Sequence, residues 1–392
     1  MKKKLLTLML AAVCVVAGCK TSSKHEGAVT ELPTDSLRKQ WTRDLQMKGD
    51  QPRDMYVRGG SLFIYSENNV LYHMNRLSGA VVFMSDIAKP GATVRAPLLA
   101  KDAVVVPVGT RLEFLDKRGF YEKTIELRSP IRSGVATDGT AYYMGLDAAD
   151  GTGRLISVDI KRPYSPAHWE LMVGGGISST PAFIGGALYA GSDDGNVYAL
   201  TADRLAVWGI NRGMFTTGGP ITGDITAEKS GVYVASADSK LYCLDPGSGK
   251  VKWQYFAGSA LYDSPAVTAT SVYINVRDKG LTAIDKTQGK THRQAKWVCA
   301  DANMFLAEGE RHAFLRGKNN MILAVDKTTG EVVFRSRRKD LVAFATNTTD
   351  GLIYAGTKSG EVMAAVAVLT HGTVGELVWM KPAAAAAMLA SR

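Results

Sequence analysis

One string keeps returning along this chain, and a repeat constrains a fold more than any single residue does. Residues 241–253 read LYCLDPGSGKVKW; GLTAIDKTQGK ends at Lys290, MILAVDKTTGEVVF at Phe334 and VLYHMNRLSGAVVF at Phe83. Aligned on Asp245, the equivalent positions are Asn75, Asp116, Asp159, Thr201, Asp245, Asp285, Asp326 and Val366, spaced 41, 43, 42, 44, 40, 41 and 40 residues apart. That period suits four short strands with tight turns and is too short for a βαβ unit with its loops. No helical periodicity intervenes. Four-stranded units repeated around an axis are the blades of a propeller. Eight anchors therefore predict an all-β chain, an eight-bladed β-propeller of four-stranded antiparallel blades, over residues 37–382.

The units read consistently inside. From Pro181, PAFIGGALYAG gives two apolar runs split by Gly185-Gly186, Asp194-Gly195 is a hairpin turn, NVYAL returns, and LAVW is expected as the next strand. A later unit repeats the plan with SPAVTATSVYINV, Asp278-Lys279-Gly280 and LTAID. In the opening string, the Asp245 carboxylate is placed to accept from backbone N–H groups just ahead of it. Gly249 supplies the positive φ that closes such a loop. Trp253, eight residues after Asp245, offers a broad surface with one N–H, suited to packing between neighbouring sheets. Phe83 and Phe334 stand at the same offset from Asn75 and Asp326. Structural roles thus account for Asp245, Gly249, Trp253, Asp285, Gly289, Asp326 and Gly330 without any chemistry.

Ala283-Ile284-Asp285-Lys286-Thr287-Gln288-Gly289-Lys290 and Ala324-Val325-Asp326-Lys327-Thr328-Thr329-Gly330 resemble the tryptophan-docking repeat of quinoprotein (PQQ-like) propellers, Ala-x-Asp-x-x-Thr-Gly-Lys-x-x-Trp. The resemblance covers roughly residues 55 to 380, and it implies that each tryptophan packs against the adjacent blade. Cys243 replaces the motif's alanine. It and Cys299 read as small buried thiols, although an exported chain would permit a disulfide. Two segments, Gln40-Trp41-Thr42 and Leu377-Val378-Trp379, each resemble a last strand without a blade of its own. One is expected to complete the final blade and the other to lie outside it.

The first residues follow a different rule. Lys2, Lys3 and Lys4 precede an apolar run from Leu5 to Ala17 that is short for a bilayer span, the layout of an export signal. Val16-Ala17-Gly18-Cys19 resembles a bacterial lipobox, which implies a signal peptide over 1–18, acylation of Cys19 and a polar tether over 19–36. Several acyl chains anchor stably where one does not. Loss of the three leading lysines would take the formal charge from +10 to +7, still basic enough to favour acidic partners or headgroups. Lys20 stands where an aspartate would favour inner-membrane retention, so an outer-membrane anchor facing the periplasm is expected. Residues 383–392 form a tail.

Chemistry is sparse. No His lies at metal-ligand spacing from another His or Cys. Gly174-Gly175-Gly176 precedes a strand-like ISSTPAF, not the helix a phosphate loop requires. Asp147-Ala148-Ala149-Asp150-Gly151 lacks the alternating oxygen ligands of a calcium loop and reads as a hairpin turn. The basic run Arg335, Arg337, Arg338 and Lys339 follows a strand end. It is either a solvated loop or a grip for an acidic protein face or anionic lipid. Quinoprotein alcohol dehydrogenases, which carry PQQ and calcium, have an adjacent Cys-Cys pair that this chain lacks, so their site residues do not transfer. No catalytic residue, metal or cofactor is assigned. The expectation is a non-enzymatic envelope lipoprotein scaffold, as in the lipoprotein branch of this propeller family that serves outer-membrane β-barrel assembly. Its partners would be periplasmic domains of a barrel insertase, with no nucleic acid. A PQQ- or metal-dependent periplasmic oxidoreductase and a glycan- or envelope-complex-binding propeller stand as alternatives.

Overall fold

The computed structural model describes residues 37–147, 150–161, 168–209, 213–287, 291–336 and 338–367. Its strands fall into eight antiparallel blades of four, one of them carrying a short fifth strand, arranged as an eight-bladed β-propeller. Blade 1 holds Pro52–Arg58, Ser61–Ser66, Val70–Asn75 and Val81–Asp86; blade 2 holds Leu98–Leu99, Val104–Val108, Arg111–Leu115 and Tyr121–Glu126. Blade 3 holds Ala136–Thr137, Ala141–Asp147, Gly153–Asp159 and Trp169–Val173; blade 4 holds Ala182–Ile184, Ala187–Gly191, Asn196–Leu200 and Met214–Thr216. Blade 5 holds Thr226–Glu228, Gly231–Ser236, Lys240–Leu244 and Val251–Phe256; blade 6 holds Ala266–Val267, Ser271–Val276, Gly280–Asp285 and Ala295–Cys299. Blade 7 holds Ala302–Glu308, His312–Gly317, Ile322–Asp326 and Val332–Arg335.

Blade 8 answers the question of closure. Its first three strands are Leu341–Ala345, Ile353–Thr357 and Glu361–Ala367, and its fourth is Leu37–Asp44 from the other end of the propeller sequence, paired from Leu37↔Ala367 to Asp44↔Glu361. The Gln40-Trp41-Thr42 segment therefore completes the last blade, while Leu377-Val378-Trp379 lies outside the described residues. Every anchor of the repeat ends up at or just past the third strand of its blade, Val366 included, so the period read from the sequence is the blade period.

Packing follows from the alternation of each strand. The middle two strands of every blade are buried on both faces, because a blade is covered on each side by a neighbour. Their side chains form eight apolar clusters, and each cluster joins one consecutive pair of blades. The eighth joins blade 8 to blade 1 through Tyr354, Val362 and Ala364 against Met55, Leu62 and Tyr72. The ring thus has no open first or last sheet to template aggregation.

One local expectation changes. LAVW at 205–208 is not the fourth strand of blade 4. The chain turns at Arg204, with φ 63°, touches Leu200 again at Ala206, and reaches the ladder only at Met214–Thr216. Trp208 is delivered from that excursion, still to a buried place.

Candidate functional site

The repeat residues do what turn chemistry predicts. Asp245 Oδ1 accepts from Ser248 N at 2.9 Å and Ser248 Oγ at 2.8 Å. Asp326 Oδ1 accepts from Thr328 N at 2.7 Å and Thr329 N at 3.0 Å, and Asp285 Oδ1 from Thr287 N and Thr287 Oγ1, both at 2.7 Å. Asn75 and Asp116 make the same turn. These bonds favour the ionised carboxylate: the Ser248 hydroxyl holds Asp245 below the usual carboxylate range, and the Thr329 N–H does the same for Asp326.

At Gly79, Gly119, Gly249 and Gly330 the turn receives an aromatic of the preceding blade, Trp41, Phe83, Trp208 and Trp297 in that order. Gly249 (φ +70°) and Gly330 (φ +77°) close their turns so tightly that an added Cβ would stand 2.5 Å from the ring of Trp208 and 2.4 Å from Trp297 Cβ. The indole N–H groups complete the dock. Trp41 Nε1 donates to Arg76 O (2.9 Å), Trp169 to Ala202 O (2.7 Å), Trp208 to Pro246 O (2.8 Å) and Trp297 to Lys327 O (3.0 Å). In every case the acceptor is one residue past the anchor of the next blade. A buried Tyr on the second strand backs each indole, as in Tyr354–Trp41 at 6.3 Å, Tyr189–Trp208 at 5.8 Å and Tyr273–Trp297 at 5.8 Å between ring centroids. Sequence spacing hides three of these tryptophans, which stand 7, 10 and 12 residues after their anchors (Trp208, Trp169, Trp297) and not 8. Gly289 lies outside the described residues.

The junction of blades 8 and 1 carries an extra polar lock. Arg76 is buried, and its Nη1 donates to Asp350 Oδ2 at 2.7 Å and Tyr354 Oη at 3.1 Å while Nε donates to Gly59 O at 2.7 Å. Burial works to lower the Arg76 pKa, but the bonds to Asp350 and Tyr354 raise it overall.

The basic run is partly neutralised. Arg335 Nη2 pairs with Asp301 at 2.8 Å, and Arg338 with Asp340 at 2.5 Å and Glu361 at 3.8 Å. Lys339 is exposed, and Arg337 lies outside the described residues. Neither cysteine is bridged; both are buried, and burial pushes the Cys243 thiol up to about 11, which leaves it protonated and inert at neutral pH. Gly174-Gly175-Gly176 links blade 3 to blade 4 without a helix, with Gly175 packed on the Asp194 backbone.

Two features were not anticipated from the sequence. Exposed apolar side chains gather on the outer strands of blades 1 and 2, at Val81, Val82, Met84, Phe120 and Tyr121. The outer edge of blade 5, by contrast, is already occupied: His292–Arg293 pairs with Gln254–Tyr255 in parallel as a fifth strand. At the junction with blade 6 lies a cleft of about 450 Å³, lined among others by Tyr233, Cys243, Lys252, Trp253, Lys286 and Arg293. The signal in the sequence is a misfit. Eight residues after Asp285, where other units carry an aromatic, stands Arg293, and the tryptophan comes four residues later.

Tryptophan-to-carbonyl docking at four junctions of the ring defines the class by its fold: this is an eight-bladed β-propeller whose repeats resemble the PQQ-like kind. The family model described as outer membrane protein assembly factor BamB matches residues 206–303. A curated protein of Yersinia pestis named outer membrane protein assembly factor BamB is 24% identical over 237 residues, which cover 52% of this chain. The match spans 59% of that relative's length. The crystal structure of BamB from Moraxella catarrhalis superposes with a TM-score of 0.65 at 17% identity, over 86% of this chain and 99% of that one. The propeller form alone is shared more widely. The computationally designed Ika8 protein gives a TM-score of 0.58 at 15% identity over 82% of this chain and 97% of its own, and the C-terminal WD40 domain of Sif2 gives 0.60 at 12% over 84% and 98%.

Proposed function

We propose that this chain is a non-enzymatic scaffold of the bacterial envelope, held to the outer membrane by acylated Cys19 and acting in the assembly of outer-membrane β-barrel proteins. The observation that carries the reading is the match to assembly factor BamB in sequence, joined to a whole-propeller superposition on the Moraxella catarrhalis protein. Among the described residues no group of three or more His, Cys, Asp or Glu side chains could hold a metal ion, and no helix is long and apolar enough to cross a membrane. The exposed outer strand of blade 1, with Val81, Val82 and Met84, supports a role in contacting periplasmic domains or incoming strands by β-augmentation.

The test is affinity purification of the full chain from solubilised membranes, followed by mass spectrometry. Co-purification of barrel-assembly components is the expected result. A chain that instead carries a bound chromophore and oxidises alcohols, or that returns only with glycan, overturns the scaffold reading. For the anchor, a Cys19→Ser chain should leave the membrane fraction; unchanged membrane retention would remove Cys19 from the proposal.

A further inference from the structure

The cleft between blades 5 and 6 has no part in the reading above, and its chemistry is one-sided. Arg293 is only 7% exposed. Its Cζ sits 5.2 Å from the centroid of the Trp253 ring, and Nη2 reaches Lys286 O only at 3.4 Å. Among the described residues its Nε and Nη1 have no hydrogen-bond partner. A buried donor left unpaired carries a desolvation cost, larger when it is charged, so a guanidinium held this way favours an acceptor that fills the cleft.

The neighbouring charges do not supply that partner. Glu228 is committed to Lys286 at 2.5 Å and to the Tyr233 hydroxyl at 3.0 Å. Asp285 is turned to Thr287 in its own turn. Lys252 forms no ion pair among the described residues; its Nζ spends one of three donors on Ser230 O at 2.8 Å. The protonated Cys243 thiol adds no negative charge. Three cations therefore face the cleft against two carboxylates: Glu228, paired with Lys286, and Asp285, bonded within its own turn and acting on Arg293 through its charge. Trp253 supplies a rigid wall that keeps the guanidinium from folding away.

We infer that this cleft binds an oxyanion of the phosphate class, with Arg293 and Lys252 as its charged donors and Trp253 fixing the plane of the guanidinium. Charge-assisted hydrogen bonds from Arg and Lys to phosphoryl oxygens are the strong kind. A volume of about 450 Å³ leaves room for a phosphoryl group with an organic substituent. The group is either a free phosphate or phosphomonoester, or the headgroup phosphate of an anionic lipid.

Isothermal titration of the full chain with inorganic phosphate, at ionic strength held constant with chloride, tests the site. Saturable binding is expected. Arg293→Met and Lys252→Met should each weaken it by about tenfold or more, while Arg293→Lys weakens it less. Absence of saturable heat in the unaltered chain overturns the inference, as does equal affinity in both Met variants once circular dichroism shows them folded. A second arm separates the sources, using the Cys19→Ser chain so that no acyl group contributes. Retention on vesicles containing phosphatidylglycerol, lost in Arg293→Met and competed by phosphate, assigns the lipid headgroup. No retention, or retention that ignores Arg293→Met, assigns a free phosphate. None of these outcomes depends on whether the chain acts in barrel assembly.

Discussion

Two junctions of this ring each bury an arginine beside a docking tryptophan, and they differ in everything else. At the junction of blades 8 and 1, Arg76 lies by Trp41 and is satisfied by Asp350, Tyr354 and the Gly59 carbonyl. At the junction of blades 5 and 6, Arg293 lies over Trp253 with two donors unpaired among the described residues and an open cleft in front of it. The first is a clasp, formed where two distant parts of the chain must hold a ring shut. The second is an open cleft with a cationic lining. A buried charge with its partners in place and a buried charge without them have opposite consequences for stability, so the contrast can be broken by experiment.

The largest effect is expected at the clasp. Trp41→Ala removes the indole that docks on Gly79 and its bond to Arg76 O, and should cost about 3–5 kcal/mol. Trp253→Ala should cost less, because a cavity already adjoins that ring and no hydrogen bond from its Nε1 is found among the described residues. Urea unfolding of the two variants makes the comparison, and a larger loss for Trp253→Ala would reverse our ranking of the junctions. Gly79→Ala, with φ +70° and a Cβ 2.5 Å from the Trp41 ring, should cost about 2–4 kcal/mol from backbone strain and overpacking together. Next comes Arg76→Met. It strands Tyr354 and Asp350, but Asp350 is partly solvated, so about 2 kcal/mol is expected and not the 3–5 of a fully buried pair. Arg293→Met should lie within about 1 kcal/mol of the unaltered chain in phosphate-free buffer, or stabilise it, since an apolar side chain replaces an unsatisfied cation. A loss as large as that of Arg76→Met would erase the distinction between clasp and cleft.

A smaller and more general effect belongs to the turns both junctions share. Asp116, Asp245 and Asp326 have carboxyls held below their ordinary values, Asp116 chiefly by the Phe120 N–H. A depressed folded-state pKa contributes stability that is fully present above the unfolded value of about 3.9 and is lost as pH falls through the folded value. Thermal stability should therefore drop on acidification below about pH 4. Asp245→Asn should flatten part of that drop while keeping the turn, because Asn75 already caps one. If the acid limb of Tm against pH is the same in Asp245→Asn, the turn carboxylates are not its source.

Much of the fold could be read directly from the residues, and the reason is the range of the forces involved. Asp-x-x-x-Gly turns are closed by hydrogen bonds spanning three or four residues, so they leave a pattern in the string at Asp245, Asp285 and Asp326, and the eight anchors aligned on them revealed the blade number and the period. That a tryptophan packs against the adjacent blade was implied by resemblance, but the place of Trp297, 12 residues after Asp285, was hidden by its spacing. What the string did not settle was which segment closes the ring. Leu37–Asp44 finds its partner some 320 residues away, and two segments of the right composition competed for the place. Nor did it mark Arg76 or Arg293 as special. Arg76 is one residue past an anchor, where the repeat needs only a carbonyl, and Arg293 sits where an aromatic is due. Turn chemistry is local and was legible in the order of residues. The satisfaction of a buried charge depends on side chains brought from other blades, and only the folded ring decides it.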